Sequence, residues 1–171
     1  MPLAYLSIGS NIDPERNVLE ALKSLKAEGL EAVSTVYRTE PVGKTGQPSF
    51  LNCVARLNTK RGPAELKAAL RRIEDALGRK RTGDRFGPRT IDLDLISYDG
   101  IESAGPGLVL PDPDIETRRF VAIPLYELAP SFTLPDGRTL KEIISSMPEK
   151  DGMEPEVPLT AEIRRKIFSN P

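Results

Sequence analysis

The sequence predicts an α+β protein built on a ferredoxin-like βαββαβ core, a four-stranded antiparallel sheet with both helices on one face. Three observations carry that expectation. Strand-like alternation and helix-like apolar stripes follow one another as strand, helix, strand, strand, helix, strand over residues 3–98. Clusters of Gly, Pro, Asn and Asp punctuate the joins. The length, 171 residues, suits one domain with a single core.

The first strand runs from Leu3 to Ile8 and ends in the turn Gly9-Ser10-Asn11. Asp13 stands as an N-cap before Pro14, a residue suited to the first helical position. Val18, Ala21, Leu22 and Leu25 then recur at helical spacing up to Gly29. A second strand, Glu31 to Arg38, leads into a loop holding Pro41, Gly43, Gly46 and Pro48. The third, Phe50 to Asn58, alternates Leu51, Cys53, Ala55 and Leu57 with Phe50, Asn52, Val54 and Arg56. Gly62-Pro63 opens a second helix, striped by Leu66, Ala69, Leu70, Ile73 and Leu77. After a basic loop at 79–89, the fourth strand spans about 90–98 and closes at Asp99-Gly100. A proline-punctuated loop follows at 105–113, then a helix near 118–128, a short strand and turn at 132–137, and a helix carrying Leu140, Ile143 and Ile144. The domain is expected to span 1–147, and 148–171 to form a loose tail with a short helix near 160–167.

Hydrophobic residues make up 39% and charged ones 29%, with no apolar run near the length of a membrane span and no signal-like start. A cytoplasmic protein is expected. The single cysteine, Cys53, excludes an internal disulfide and multi-cysteine zinc sites, and it reads as a small core residue. Histidine is absent, which removes Ser-His and Cys-His machinery and imidazole metal sites. Net charge is −1, yet Arg71 to Arg89 holds seven basic residues against three acidic ones. Local basicity in a neutral protein suits a small anionic ligand better than a long polyanion.

Arg85-Phe86-Gly87-Pro88-Arg89-Thr90-Ile91-Asp92-Leu93-Asp94 concentrates the chemistry. Asp92 and Asp94 are two apart on a strand, so both point to one face, about 7 Å apart. Mg²⁺ takes one or two carboxylates plus phosphate oxygens, and guanidinium groups clasp phosphate. Arg79, Lys80, Arg81, Arg85 and Arg89 precede the pair in a glycine-bearing loop. The face opposite the helices is expected to be open and to carry Phe50 and Asn52 beside Asp92 and Asp94. Gly43-Lys44-Thr45 fails as a P-loop, because Arg38 stands where that pattern needs glycine. Gly9 reads as a tight turn, Glu74 as a solvated helix residue and Phe120 as a core residue at a helix start.

Taken together, these segments resemble the 6-hydroxymethyl-7,8-dihydropterin pyrophosphokinase family. The resemblance is carried by Ile8-Gly9-Ser10-Asn11, Tyr37 to Gly43, Phe50-Leu51-Asn52, Gly78-Arg79, Arg85 to Asp94, Arg118-Arg119-Phe120 and Pro124 to Pro130. It covers about residues 3–145. It implies ATP and the pterin as substrates, AMP as second product, and two Mg²⁺ ions bound with ATP by Asp92 and Asp94. It places Arg79 and Arg89 as the residues that stabilise charge during transfer. It puts Glu74, Arg81, Arg85, Leu95, Asp112 and Arg118 around ATP. Thr39, Val42, Phe50, Asn52 and Phe120 line up with the pterin pocket. The loops at 43–49 and 79–88 are expected to close over the substrates.

Two departures stand out. The family commonly has histidine where this chain has Asp112, so weaker ATP binding is expected unless Asp112 points away. Some members have tryptophan in place of Phe86. A single-strand nucleic-acid module on the same sheet is disfavoured by the charge of Asp92 and Asp94, and a catalytically silent pterin-binding relative remains the other alternative. Neither nucleic acid nor a membrane is expected as a partner. The length leaves no room for fusion to another folate enzyme, whereas loose association with other folate-pathway enzymes stays open.

Overall fold

Alternation along β1 (Leu3–Ser10) sends Ala4, Leu6 and Ile8 into the core and Tyr5, Ser7 and Gly9 to the other face. The structure, a computed structural model, describes residues 1–43, 45–103, 105–149 and 152–169. The apolar side of β1 is covered by α1 (Pro14–Leu25) and α2 (Pro63–Ala76), which bury Val18, Ala21, Leu22, Leu25, Leu66 and Leu70. β4 (Phe50–Asn58) and β5 (Asp92–Tyr98) flank β1 antiparallel and add Leu51, Cys53, Ala55, Leu57, Leu93 and Leu95 to this core. Burial pushes the Cys53 thiol up to about 12, so it behaves as an inert core side chain.

The α+β class and antiparallel pairing hold, but the sheet has six strands rather than four. The expected second strand is two short ones, β2 (Leu30–Val33) and β3 (Tyr37–Thr39), both paired with β4. Their separation has a local cause. Ser34 donates its N–H to the Val54 carbonyl (2.9 Å), and its hydroxyl accepts the Val54 N–H (2.9 Å). One residue thus satisfies both backbone groups of Val54, the carbonyl through its own N–H and the N–H through its side chain. The next amide, Thr35, turns away to Glu127 Oε2 (2.8 Å). The sixth strand, β6 (Met153–Pro155), pairs with β3, and the sheet order is β5–β1–β4–β3–β6 with β2 beside β4.

The face expected to be open is partly covered. The short α3 (Asp114–Thr117), α4 (Arg119–Leu128) and α5 (Leu140–Ser146) pack there and bury Val54 and Ile96 beneath Ile115, Val121, Leu125 and Leu140. Helices therefore lie on both faces, because Val54 and Ile96 give the outward side of β4 and β5 an apolar half that must be shielded from water. The strand expected at 132–137 reduces to a single bridge, Thr133 to Thr139. Thr139 and Glu142 form a reciprocal capping box at the start of α5.

Two further expectations change. Asp13 precedes α1 but has a left-handed backbone (φ 42°) and makes no side-chain cap; its carbonyl accepts the Asn17 N–H instead (3.0 Å). The tail is docked over its described residues: α6 (Val157–Phe168) seats Ile163 and Ile167 in the main core. Among the described residues no helix lies between β3 and β4, whereas a P-loop needs one after its turn; Lys44 lies outside the described residues. Among the described residues no helix is long and apolar enough to cross a membrane.

Candidate active site

The uncovered half of the outward face is organised by strand register. Gly9 on β1 lies opposite Asn52 on β4 and opposite Asp92 on β5, and Ser7 lies opposite Val54 and Asp94. Asn52 and Asp92 thus stand in one row across three strands with glycine between them. The central strand contributes only small side chains here, leaving the floor of a cleft of about 580 Å³. A second cleft of about 290 Å³ adjoins it and shares Arg85, Arg89, Asp92 and Asp94.

Gly9 is inside β1, not at a turn, and its missing side chain has a use. A Cβ there would sit 2.8 Å from Asn52 Oδ1, too close to coexist with the present rotamer. Asn52 donates through Nδ2 to Thr39 Oγ1 (2.6 Å), which fixes its amide at the cleft wall. Gly9→Ala is therefore expected to raise the KM for a ligand gripped by Asn52 about tenfold, a loss of roughly one hydrogen bond, and to lower the melting temperature by about 2–4 °C as the Asn52–Thr39 bond is lost. Steady-state kinetics of the variant check this.

The larger cleft collects most of the residues singled out from sequence. Thr39, Val42, Phe50, Asn52 and Phe120 line it. Leu95, Asp112 and Arg118 line it too, together with Arg85, Arg89, Asp92 and Asp94. Glu74, Arg79 and Arg81 line the smaller cleft instead. Sequence reading missed Ser7, Gly9, Glu40, Lys67 and Val109. The alternation of Tyr5, Ser7 and Gly9 on one face of β1 was the available signal for the first two.

Asp92 is held on both oxygens. Arg79 Nη1 reaches Oδ1 at 3.1 Å, and Arg89 Nη1 reaches Oδ2 at 2.8 Å. Arg79 also donates to the Ile91 carbonyl (2.6 Å) and pairs with Glu74 (3.0 Å). Glu74 is not the solvated residue expected: it is 9% exposed, accepts the Leu93 N–H (3.3 Å) and pairs with Arg81 (3.3 Å). Burial, then Asp92, pushes its carboxyl above the usual range, and Arg79 opposes both. The guanidinium of Arg89 lies 5.8 Å from the Phe50 ring centroid, bridging the aromatic and acidic ends of the cleft.

Asp94 is different. Among the described residues no hydrogen bond or ion pair reaches its carboxylate. The surrounding protein, then the charges of Asp92, Asp112, Glu74 and Asp114, push it up to about 7. Asp112 faces the same wall; its Oδ1 accepts the Asp114 N–H (2.8 Å), and burial raises its carboxyl too. This excess of oxygen donors and negative charge suits a hard divalent cation. No three such groups among the described residues converge into a closed cage, so an ion at Asp92 and Asp94 would complete its shell with water and oxygens of a ligand.

Asn11 ties the loops to the floor. Its N–H donates to the Arg89 carbonyl (3.2 Å), its Oδ1 accepts the Arg89 N–H (2.9 Å), and its Nδ2 reaches Gln47 (2.8 Å) and the Pro48 carbonyl (3.2 Å). Gln47 in turn donates to the Phe86 carbonyl (2.6 Å), and the Phe86 ring packs over Gly43. The two loops therefore touch one another above the cleft.

A cleft that brings together an amide, aromatic rings, arginines and a carboxylate pair suits a small molecule that carries a ring and a polyphosphate. The model of the 7,8-dihydro-6-hydroxymethylpterin-pyrophosphokinase (HPPK) family matches residues 5–130, and the chain belongs to that family. It is 40% identical to a 2-amino-4-hydroxy-6-hydroxymethyldihydropteridine pyrophosphokinase of Pseudomonas aeruginosa, over 84% of this chain and 91% of that protein. It is 39% identical to the protein of the same name from Methylorubrum extorquens, over 90% and 98%. The fold matches a crystal structure of Plasmodium falciparum HPPK-DHPS with pteroate at a TM-score of 0.65 and 12% identity, over 84% of this chain. The chain spans 42% of the length of that larger protein.

Proposed function

We propose that this chain transfers the terminal diphosphate of ATP to the hydroxymethyl group of 6-hydroxymethyl-7,8-dihydropterin, with Mg²⁺, giving the pterin diphosphate and AMP. The chain is a pyrophosphokinase of the folate-synthesis family, and its uncovered sheet half supports the finer reading. The single observation that carries it is the row Asn52–Gly9–Asp92, which sets a ring-recognising amide beside a cation-holding carboxylate.

In this reading Phe50 and Phe120 sandwich the bicyclic ring and Asn52 hydrogen-bonds its polar edge, while Thr39 and Val42 close that end. Asp92 and Asp94 would hold two Mg²⁺ ions, which when bound neutralise triphosphate charge. Glu74, Arg81, Arg85, Leu95, Asp112 and Arg118 surround the nucleotide, with Glu74 acting through Arg79 and Arg81. The pterin oxygen forms a bond to the β-phosphorus as the bond from that phosphorus to the α,β-bridging oxygen breaks. The bridging oxygen leaves with AMP, and the hydroxyl proton is released. Arg79 and Arg89 stabilise charge moving onto the transferred group, a reaction that depends on alignment and neutralisation more than on a nucleophilic side chain. Contact between Gln47 and Phe86 supports closure of the two loops against water.

The orientation of Asp112 toward the cleft supports weaker ATP binding than in relatives with histidine there. The likeness to HPPK-DHPS supports association with other folate enzymes. The experiment is direct: protein, ATP, Mg²⁺ and the hydroxymethyl-dihydropterin are mixed and AMP is measured. AMP formation is expected to require both the pterin and the metal. AMP formed without pterin, or pterin bound without turnover, would point to a hydrolase or a silent binder.

A further inference from the structure

We propose that residues 152–169, which lie beyond the family match, brace the loop that walls the pterin end of the cleft and so set pterin affinity. The inference rests on the functional reading above for the identity of the ligand. β3 has only three residues, follows the break at Ser34, and leads directly to cleft residues Thr39, Glu40 and Val42. A strand so short is marginal on one neighbour alone.

The C-terminal segment holds it from end to end. Arg164 donates twice to the Val33 carbonyl (3.2 and 2.9 Å), and the buried Val36 N–H donates to Thr160 Oγ1 (2.9 Å). Glu156 returns its N–H to the Val36 carbonyl (2.8 Å), and its carboxylate receives Arg38 Nε (2.7 Å). Glu40 donates its N–H to the Gly152 carbonyl (3.2 Å). The chain is thus tied between Val33 and Glu40, ending beside the hydroxyl of Thr39 that fixes Asn52.

Without these ties, Thr39 drifts and the Asn52 amide loses its fixed direction. No hydrogen bond from 152–169 to α2, β5 or α4 occurs among the described residues, so the brace acts on the pterin side alone.

The test separates positioning from simple stabilisation. Thr160→Val and Glu156→Ala leave Ile163 and Ile167 in the core. Thr160→Val, which loses a buried bond, is expected to raise the KM for the pterin about tenfold, and Glu156→Ala, which loses a part-exposed ion pair, about threefold, both with kcat and the KM for ATP within about twofold. Thr160→Ser, which keeps the hydroxyl, is expected to restore the pterin KM. In the ligand-free variants the Val36 and Glu40 amides should exchange hydrogen faster. A lower melting temperature with unchanged pterin KM overturns the proposal. Should the wild-type protein form no AMP, the functional reading fails, and exchange at Val36 and Glu40 then decides the brace: acceleration supports it, none overturns it.

Discussion

Asp94→Asn is expected to lower turnover at least about a thousandfold and, above pH 7, to raise the melting temperature of the ligand-free protein. The two effects have one cause. Among the described residues Asp94 has no hydrogen-bonding or ionic partner, and the surrounding protein, then the like charges beside it, lift its carboxyl from 3.8 to about 7. The folded state therefore binds more protons than the unfolded chain between about pH 4 and pH 7. Its stability falls as pH rises through that window and levels off above it. Asparagine removes the slope and the repulsion together. Solvent reaches the carboxylate through the cleft mouth, so the stability gain is small beside the loss of activity. Melting curves across pH 4–8, alongside AMP formation, measure both. A variant that loses activity and stability together would mean that Asp94 serves the fold rather than a cation.

Arg79→Ala should damage both properties, unlike Asp94→Asn. Its guanidinium serves three acceptors: Glu74, the Ile91 carbonyl and Asp92. Removal leaves the buried Glu74 carboxylate with Arg81 and the Leu93 N–H as its partners among the described residues, and breaking such a pair typically costs about 3 kcal/mol. Turnover is expected to fall more than about a hundredfold, the usual scale for losing a positioned charge at a transition state. Arg79→Lys keeps the charge but lacks the planar fork, so it should recover part of the stability and little of the turnover. Urea unfolding together with AMP formation reads the two effects. Unchanged unfolding in Arg79→Ala would show that Glu74 does not depend on this arginine.

The elements that alternation and apolar stripes specify were legible in the sequence. β4 begins and ends at Phe50 and Asn58 as read, and the stripes of α1 and α2 fall in the core. Phe50, Asn52, Asp92 and Asp94 share one cleft because strand periodicity alone decides which face each side chain takes. What escaped depends on partners far along the chain. The break between β2 and β3 is made by the Ser34 hydroxyl acting on Val54, twenty residues away, and no local pattern announces it. Glu74 lies off the apolar stripe, yet Arg79, Arg81 and Leu93 converge on it. Val54 and Ile96 did signal that half of the outward face needed cover, but the helices that supply it come later in the chain. The docking of α6 rests on Ile163 and Ile167, spaced as on one helix face within an otherwise charged stretch.

The contrast between Asn52 and Asp92 bears on inhibitor design. Asn52 is already oriented by Thr39, whereas both oxygens of Asp92, in the same row two strands away, are engaged by Arg79 and Arg89. A flat heterocycle bearing an amide-complementary edge meets a preorganised pocket and loses little affinity to receptor rearrangement. A phosphate mimic instead shares two guanidinium groups with a carboxylate that already engages them, which spends part of its binding energy. Compounds directed at the aromatic end should therefore give more affinity per heavy atom than nucleotide analogues of the same size.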